Sequence, residues 1–302
     1  MKTVTLLRFI HRNTLFLLLL LMAPAVGLAQ DVQLGEVSFL GLQRDFAGIE
    51  LSYRKADITG SGTGQKALVI YLHGGSSCGS DNVSQMREPG IDSIAGYLHR
   101  HQVDAVMLVP QCPDRSRGWG GMAQNIKALL DFTVRTEDID TMRIYVLGGS
   151  MGGTGTWKML STFPCYFAAA MPCAANPKGM SAQNAATTPV YNVMGLDDKI
   201  MNGQVRQIAE DFIAQMRALG GEAEYETVPG WTHEMTCIQS YSDHRLGWLF
   251  AHSRSLPNGI EPAGAQATEC DGPWYTLQGV RVERPLLPGI YVHNGKKTLV
   301  NP

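Results

Sequence analysis

The chain has 302 residues, 44% of them hydrophobic, and its 25 basic against 27 acidic side chains leave a formal charge of −2 at pH 7. That length and apolar content suffice for one large core, and the near balance of charge excludes the basic excess of a nucleic-acid or membrane-surface binder. The first segment differs in kind: Lys2, Arg8 and Arg12 precede the apolar run Leu15-Phe16-Leu17-Leu18-Leu19-Leu20-Leu21-Met22, and Gly27-Leu28-Ala29 supplies small residues at a cleavage point. Residues 1–29 therefore read as a secretory signal peptide whose apolar core is too short for a membrane span, which places the protein outside the cytoplasm. No cysteine follows that core to carry a lipid anchor.

Strands are predicted at residues 32–39 and 49–55, and a Gly/Ser/Thr loop at 59–64 leads to a third at 67–72. The third, Ala67-Leu68-Val69-Ile70-Tyr71-Leu72, is apolar throughout, as a strand covered on both faces should be. His73-Gly74-Gly75-Ser76 follows it. Glycines there let backbone N–H groups approach a developing oxyanion; Gly75 and Met151 are the expected donors, each worth on the order of 3 kcal/mol. His73 is expected to pack beneath this loop. A helix at 91–101, a strand at 104–109 and a helix at 123–134 come next. The strand ending Arg143-Ile144-Tyr145-Val146-Leu147 then runs into Gly148-Gly149-Ser150-Met151-Gly152. A G-x-S-x-G between strand and helix is the nucleophile elbow, a turn so tight that small residues must flank the serine.

Beyond the elbow helix at 154–160, strands are expected at 166–171, 188–194 and 223–228, with helices at 205–219 and 245–252. Strands alternating with helices predict a mostly parallel sheet with helices on both faces. The second of these strands ends in Gly195-Leu196-Asp197-Asp198 and the third in Pro229-Gly230-Trp231-Thr232-His233. A serine hydroxyl needs a histidine to take its proton and a carboxylate to orient that histidine, and in this architecture they follow in the order Ser, Asp, His. Ser150 and His233 fill two places; on spacing alone, Asp197 and Asp198 both fit the third. His233-Glu234-Met235-Thr236-Cys237 lacks the second histidine of H-E-x-x-H, so neither metal nor cofactor is expected. Trp119 and Trp231 are candidate walls of a substrate cleft and Gln111 a candidate rim contact, although large tryptophans are equally ordinary in a core.

Of the six cysteines, Cys165 and Cys173 cannot bridge if residues 166–172 are extended, since roughly 26 Å would separate them. Cys78 and Cys112 would lie in neighbouring rim loops and are the candidate disulfide, against the alternative of small buried thiols. Residues 257–270 read as a Pro, Gly and Ala-rich linker. Residues 271–302 read as a β tail in which Asn294-Gly295, between two strand-like runs, signals a hairpin. Some 30 residues cannot bury a core alone, so the tail is either a hairpin docked on the main domain or an export or attachment element.

From about residue 66 to residue 252 the sequence resembles the α/β-hydrolase superfamily and, within it, the bacterial esterases related to prolyl-oligopeptidase-like hydrolases, polyhydroxybutyrate depolymerases and family 1 carbohydrate esterases. The resemblance rests on Tyr71-Leu72-His73-Gly74-Gly75, Val109-Pro110-Gln111-Cys112-Pro113 with Trp119, Asp138-Ile139-Asp140-Thr141-Met142-Arg143-Ile144-Tyr145, the Ser150 elbow, Phe167-Ala168-Ala169-Ala170 and Gly230-Trp231-Thr232-His233. It implies an α/β-hydrolase catalytic domain over residues 30–256 plus a C-terminal β-hairpin tail. It also implies a bacterial serine carboxylic-ester hydrolase, secreted, periplasmic or at the cell surface, that removes acetyl or feruloyl groups from plant polysaccharide. Relatives read His-Gly-x-x-Asp where this chain has Met194-Gly195-Leu196-Asp197-Asp198, which selects Asp198 as the acid and marks Met194 as a departure. The tail, through Leu277-Gln278-Gly279 and Gly289-Ile290-Tyr291, resembles the sorting tails of type IX secretion cargo and so implies secretion machinery as a partner. Two other functions share the same residues: a serine peptidase, and a surface glycan-binding protein with an idle elbow.

Overall fold

The computed structural model describes residues 30–60, 62, 64–254 and the tail strands at 274–276, 281–282, 289–293 and 296–300. The expected signal peptide, the expected linker and the Asn294-Gly295 turn lie outside the described residues.

In chain order the elements are β1 (Val32–Leu34), β2 (Val37–Phe46), β3 (Ile49–Ile58), β4 (Lys66–Leu72), α1 (Pro89–Arg100), β5 (Ala105–Pro110), α2 (Ala123–Thr136), β6 (Ile139–Gly149), α3 (Met151–Thr162), β7 (Ala169–Cys173), α4 (Ala182–Ala185), β8 (Val190–Gly195), α5 (Gly203–Ala218), β9 (Ala223–Val228), α6 (His233–Gln239) and α7 (Asp243–Ala251). Nine strands form one sheet in the order β1-β2-β3-β5-β4-β6-β7-β8-β9. The first three pair antiparallel, β3 joins β5 antiparallel, and every pairing from β5 to β9 is parallel.

The apolar run of β4 is explained by this position. Successive side chains point to opposite faces: Leu68, Ile70 and Leu72 enter the core shared with Trp157 of α3 and Phe212 of α5, while Val69 and Tyr71 enter the other, shared with Ile91 and Leu98 of α1 and Leu249 of α7. Both faces are covered, so no position of the strand is left for a polar residue.

Some boundaries differ from expectation. The strand foreseen over 32–39 is split, because Gly35 at φ +53° turns the chain and pairs Leu34 with Val37. Ala47 and Gly48, both at positive φ, make the next two-residue turn, the geometry that matches strand twist in a hairpin. The strand foreseen from 166 begins at Ala169, since Cys165 at φ +58° is still turning.

Of the two readings of Cys78 and Cys112, a bridge or small thiols, the structure has the second: both are thiols, as are Cys173 and Cys237, while Cys165 is disulfide-bonded. Burial raises both the Cys78 and the Cys112 thiol, Cys112 to about 12, which holds them in the unreactive protonated form.

The tail strands β10 (Trp274–Thr276), β11 (Arg281–Val282), β12 (Gly289–His293) and β13 (Lys296–Val300) form a separate antiparallel sheet in the order β11-β10-β12-β13. The expected hairpin is β12 with β13, His293 facing Lys296. β10 and β11 pair antiparallel, Trp274 opposite Val282, and the Trp274 and Tyr291 rings meet edge to face across the sheet. Among the described residues, no helix is long and apolar enough to cross a membrane.

Candidate active site

Ser150 stands between β6 and α3 with φ 58° and ψ −119°, a left-handed conformation that costs a non-glycine residue about 1–3 kcal/mol and persists only where its surroundings enforce it. The enforcement is visible. A Cβ on Gly152 would collide with the Leu72 carbonyl, and one on Gly148 would stand 2.7 Å from the same oxygen. The Ser150 N–H donates to the Cys173 carbonyl at 3.0 Å, pinning the elbow to β7.

The acid and the base arrive from the ends of β8 and β9. Asp198 is 2% exposed; its Oδ1 accepts the backbone N–H groups of Ile200 and Met201, both at 2.8 Å. Its Oδ2 lies 2.7 Å from Nδ1 of His233. The carboxylate can only accept, so Nδ1 carries the proton and Nε2 accepts the Ser150 hydroxyl at 2.8 Å. Thr232 caps the start of α6, with its side chain accepting Met235 N–H at 3.3 Å, and so fixes the helix turn that presents His233. The Asp197 side chain is exposed, and its N–H donates to the Trp231 carbonyl at 3.0 Å, tying the acid loop to the histidine loop. The hydrogen-bond chain therefore runs through Asp198. Both His233 nitrogens are engaged within it, and among the described residues no group of three or more His, Cys, Asp or Glu could hold a metal.

The loop after β4 comes up beside the elbow: a Cβ on Gly74 would be 3.9 Å from that of Ser150. Glu88 organises this loop. Its Oε1 accepts Gly74 N–H at 2.7 Å and the Ser77 hydroxyl at 2.8 Å, and its Oε2 accepts the Tyr71 hydroxyl at 2.9 Å. Burial pushes the Glu88 carboxyl above its ordinary value, opposed by these hydrogen bonds. With Gly74 N–H spoken for, Gly75 is the loop's candidate oxyanion donor. Met151, the first residue of α3, is the other, since an N–H at a helix start has no intrahelical partner.

Beneath the loop, His73 is fully buried. Its Nε2 accepts Cys112 N–H at 2.9 Å, so its Nδ1–H donates to the Gly74 carbonyl at 2.7 Å. Burial lowers its pKa to about 4 and keeps it neutral. Trp119 packs edge-on against His73 at 4.9 Å and donates its indole N–H to the His73 carbonyl at 2.8 Å.

Two expected cleft residues are therefore corrected. Trp119 is 2% exposed and forms the floor under the loop, offering no face to a substrate. Gln111 is also buried; it accepts Asn82 N–H at 2.7 Å and donates to the Ser77 carbonyl and to Asp81. Trp231 alone of the three keeps exposed surface, with the Arg245 guanidinium 5.3 Å from its ring centre. Met194 is fully buried in the position where the resembled esterases carry histidine. Glu88 escaped the sequence reading. Its one local sign is an acid immediately before Pro89 at a helix start, and its partners are set by the fold.

No family model matches the chain. Two characterised proteins align with part of it. Feruloyl esterase B of Neurospora crassa is 27% identical over 135 residues, covering 41% of this chain and 44% of that protein. A bifunctional acetylxylan esterase/xylanase of Neocallimastix patriciarum is 33% identical over 144 residues, covering 47% of this chain and 21% of that protein. The chain thus spans less than half the length of either relative. Among solved structures, a thermostable esterase superposes with a TM-score of 0.63 at 24% identity over 72% of this chain and 63% of that one. The shared architecture is the α/β-hydrolase fold.

Proposed function

We propose that the protein is a secreted serine hydrolase that cleaves carboxylic esters through an acyl-enzyme, with acetyl or feruloyl groups on plant polysaccharide as its substrates. The observation that carries this reading is the unbroken chain from Ser150 Oγ through His233 to Asp198, at 2.8 and 2.7 Å, at the strand ends where two glycine-bearing backbone segments meet. In the first step Ser150 Oγ attacks the ester carbonyl while His233 Nε2 takes its proton, and Asp198 stabilises the resulting imidazolium. The N–H groups of Gly75 and Met151 receive the oxyanion. Collapse of the tetrahedral intermediate expels the alcohol, protonated by His233, and leaves Ser150 acylated. Water, deprotonated by His233, then releases the acid. The polysaccharide assignment draws on the feruloyl esterase and acetylxylan esterase activities of the two aligned relatives and on the export signal in the sequence.

The test is labelling with a fluorophosphonate followed by turnover on a panel of aryl esters, acetylated xylan, feruloylated arabinoxylan and peptides. Label is expected at Ser150, with ester cleavage lost in Ser150→Ala. A folded wild-type protein that takes no label would leave the glycan-binding reading, and turnover confined to peptides would leave the peptidase one. For the tail, the proposed role is sorting by type IX secretion machinery. Residues 257–302 fused to an exported reporter should send it to the surface of a bacterium that has that machinery, and retention of the fusion in the periplasm would remove the role.

A further inference from the structure

We propose that Arg115 makes the site selective for esters that carry a carboxylate close to the scissile carbonyl. The inference rests on the ester-hydrolase reading above and names a substrate class within it. The guanidinium packs against the oxyanion loop: its Nε, Cζ and Nη2 are 3.0, 3.4 and 3.5 Å from where a Cβ of Gly75 would stand. It occupies the space that the missing side chain leaves. The turn that carries it is anchored at several points. Asp114 accepts Ser116 N–H at 2.8 Å through its carboxylate and Gly118 N–H at 3.0 Å through its carbonyl, and the Cys112 thiol donates to that same carbonyl at 3.3 Å. Gly118, at φ +55°, brings the end of the turn to within 3.7 Å of the Met151 sulfur, measured from its Cβ position. The Arg115 guanidinium thus stands next to Gly75, and its turn ends beside the Met151 side chain.

Among the described residues its charge has no counterpart. Arg115 forms no ion pair or hydrogen bond among the described residues, and it is solvent-exposed. The nearby carboxylates are already engaged: Asp114 by Ser116, and Glu88 by Gly74, Ser77 and Tyr71. A guanidinium presents a planar fork of donors that matches a carboxylate at two points. An ester held in the oxyanion site brings its neighbouring groups within reach of that fork. The carboxylate can belong to the acyl group, as in a half-ester of a dicarboxylic acid, or to the sugar, as in a uronic acid beside an acetylated residue.

The experiment compares matched pairs on wild type, Arg115→Gln and Arg115→Lys. Mono-4-nitrophenyl glutarate against 4-nitrophenyl butyrate tests the acyl side. Acetylated xylan with glucuronic acid branches against the same polymer without them tests the sugar side. Folding of each variant is checked by fluorophosphonate labelling of Ser150. The expected result is a ratio of kcat/KM, carboxylate over neutral, that falls at least tenfold in Arg115→Gln on one arm, chiefly through KM. Partial retention is expected in Arg115→Lys, and added salt should erode the wild-type ratio, as it does for any exposed charge pair. The arm that responds identifies the source of the carboxylate. Ratios unchanged on both arms in a labelled, active variant overturn the proposal while leaving the ester-hydrolase reading intact. Absence of Ser150-dependent turnover on all four substrates overturns both.

Discussion

Asp197 and Asp198 are adjacent, carry the same group and differ only in where the end of β8 points them. Asp198 is buried, with one oxygen on two backbone N–H groups and the other on His233, while Asp197 faces solvent. Replacing the orienting carboxylate by its amide, with geometry kept, costs turnover on the order of 10⁴-fold. Asp198→Asn is therefore expected to reduce kcat on an aryl ester by about that factor, and Asp197→Asn by less than about threefold; the opposite ranking in steady-state assays would move the role to Asp197. At the same scale lies the reason two expected substrate contacts fail. Trp119 and Gln111 sit in rim loops by sequence, and sequence position says nothing of whether a side chain points up to solvent or down into the loop's own polar floor. Here both point down and spend their donors on loop carbonyls.

At the scale of elements, the loop after β4 is held from outside itself. Glu88, at the start of α1, gathers three donors from Tyr71, Gly74 and Ser77. Glu88→Ala releases all three at once and leaves the loop free to shift the Gly75 N–H. Since removing an oxyanion donor outright costs about 10²- to 10³-fold in kcat, displacing it is expected to cost about tenfold or more in kcat with a smaller effect on KM. Glu88→Gln, which keeps an acceptor, should recover most of the loss; equal activity of Glu88→Ala and wild type on 4-nitrophenyl acetate would remove Glu88 from this role. The strands and helices that present the site were legible in the sequence because their cause is local: unbroken apolar runs at 67–72 and 143–147, and glycines on both sides of Ser150. Glu88 was not, because its three contacts form only once α1 packs back over the end of β4.

For the whole molecule, the buried and neutral His73 makes stability depend on pH. Its pKa is about 4 in the folded chain against the ordinary 6.5, so as pH falls below 6.5 the unfolded chain takes up a proton that the folded one refuses. The stability His73 contributes is complete above pH 6.5, declines by about 1.4 kcal/mol per pH unit, and is gone near pH 4, a loss of about 3 kcal/mol. Urea titrations at pH 7 and pH 4 should show the gap between wild type and His73→Gln narrowing by about that amount. A gap independent of pH would mean that His73 is protonated where it stands. The mostly parallel sheet with helices on both faces follows the reading of the sequence, whereas the order of its strands and the antiparallel edge β1-β2-β3 emerge only from the structure. The second, four-stranded sheet in the tail does not follow that reading, because a strand as short as β11, Arg281–Val282, leaves no periodicity to read.

The polar underside of the oxyanion loop also decides how this chain can be recombined with a relative. His73 is bonded to Cys112 and to Trp119, Gly74 to Glu88, and Ser77 to both Glu88 and Gln111. A chimaera whose crossover falls between positions 79 and 111 takes the loop from one parent and its floor from the other. Each mismatched partner then strands a buried donor or acceptor, at about 1–3 kcal/mol apiece. Residues 71–119 behave as a single heritable block, to be exchanged whole or left alone.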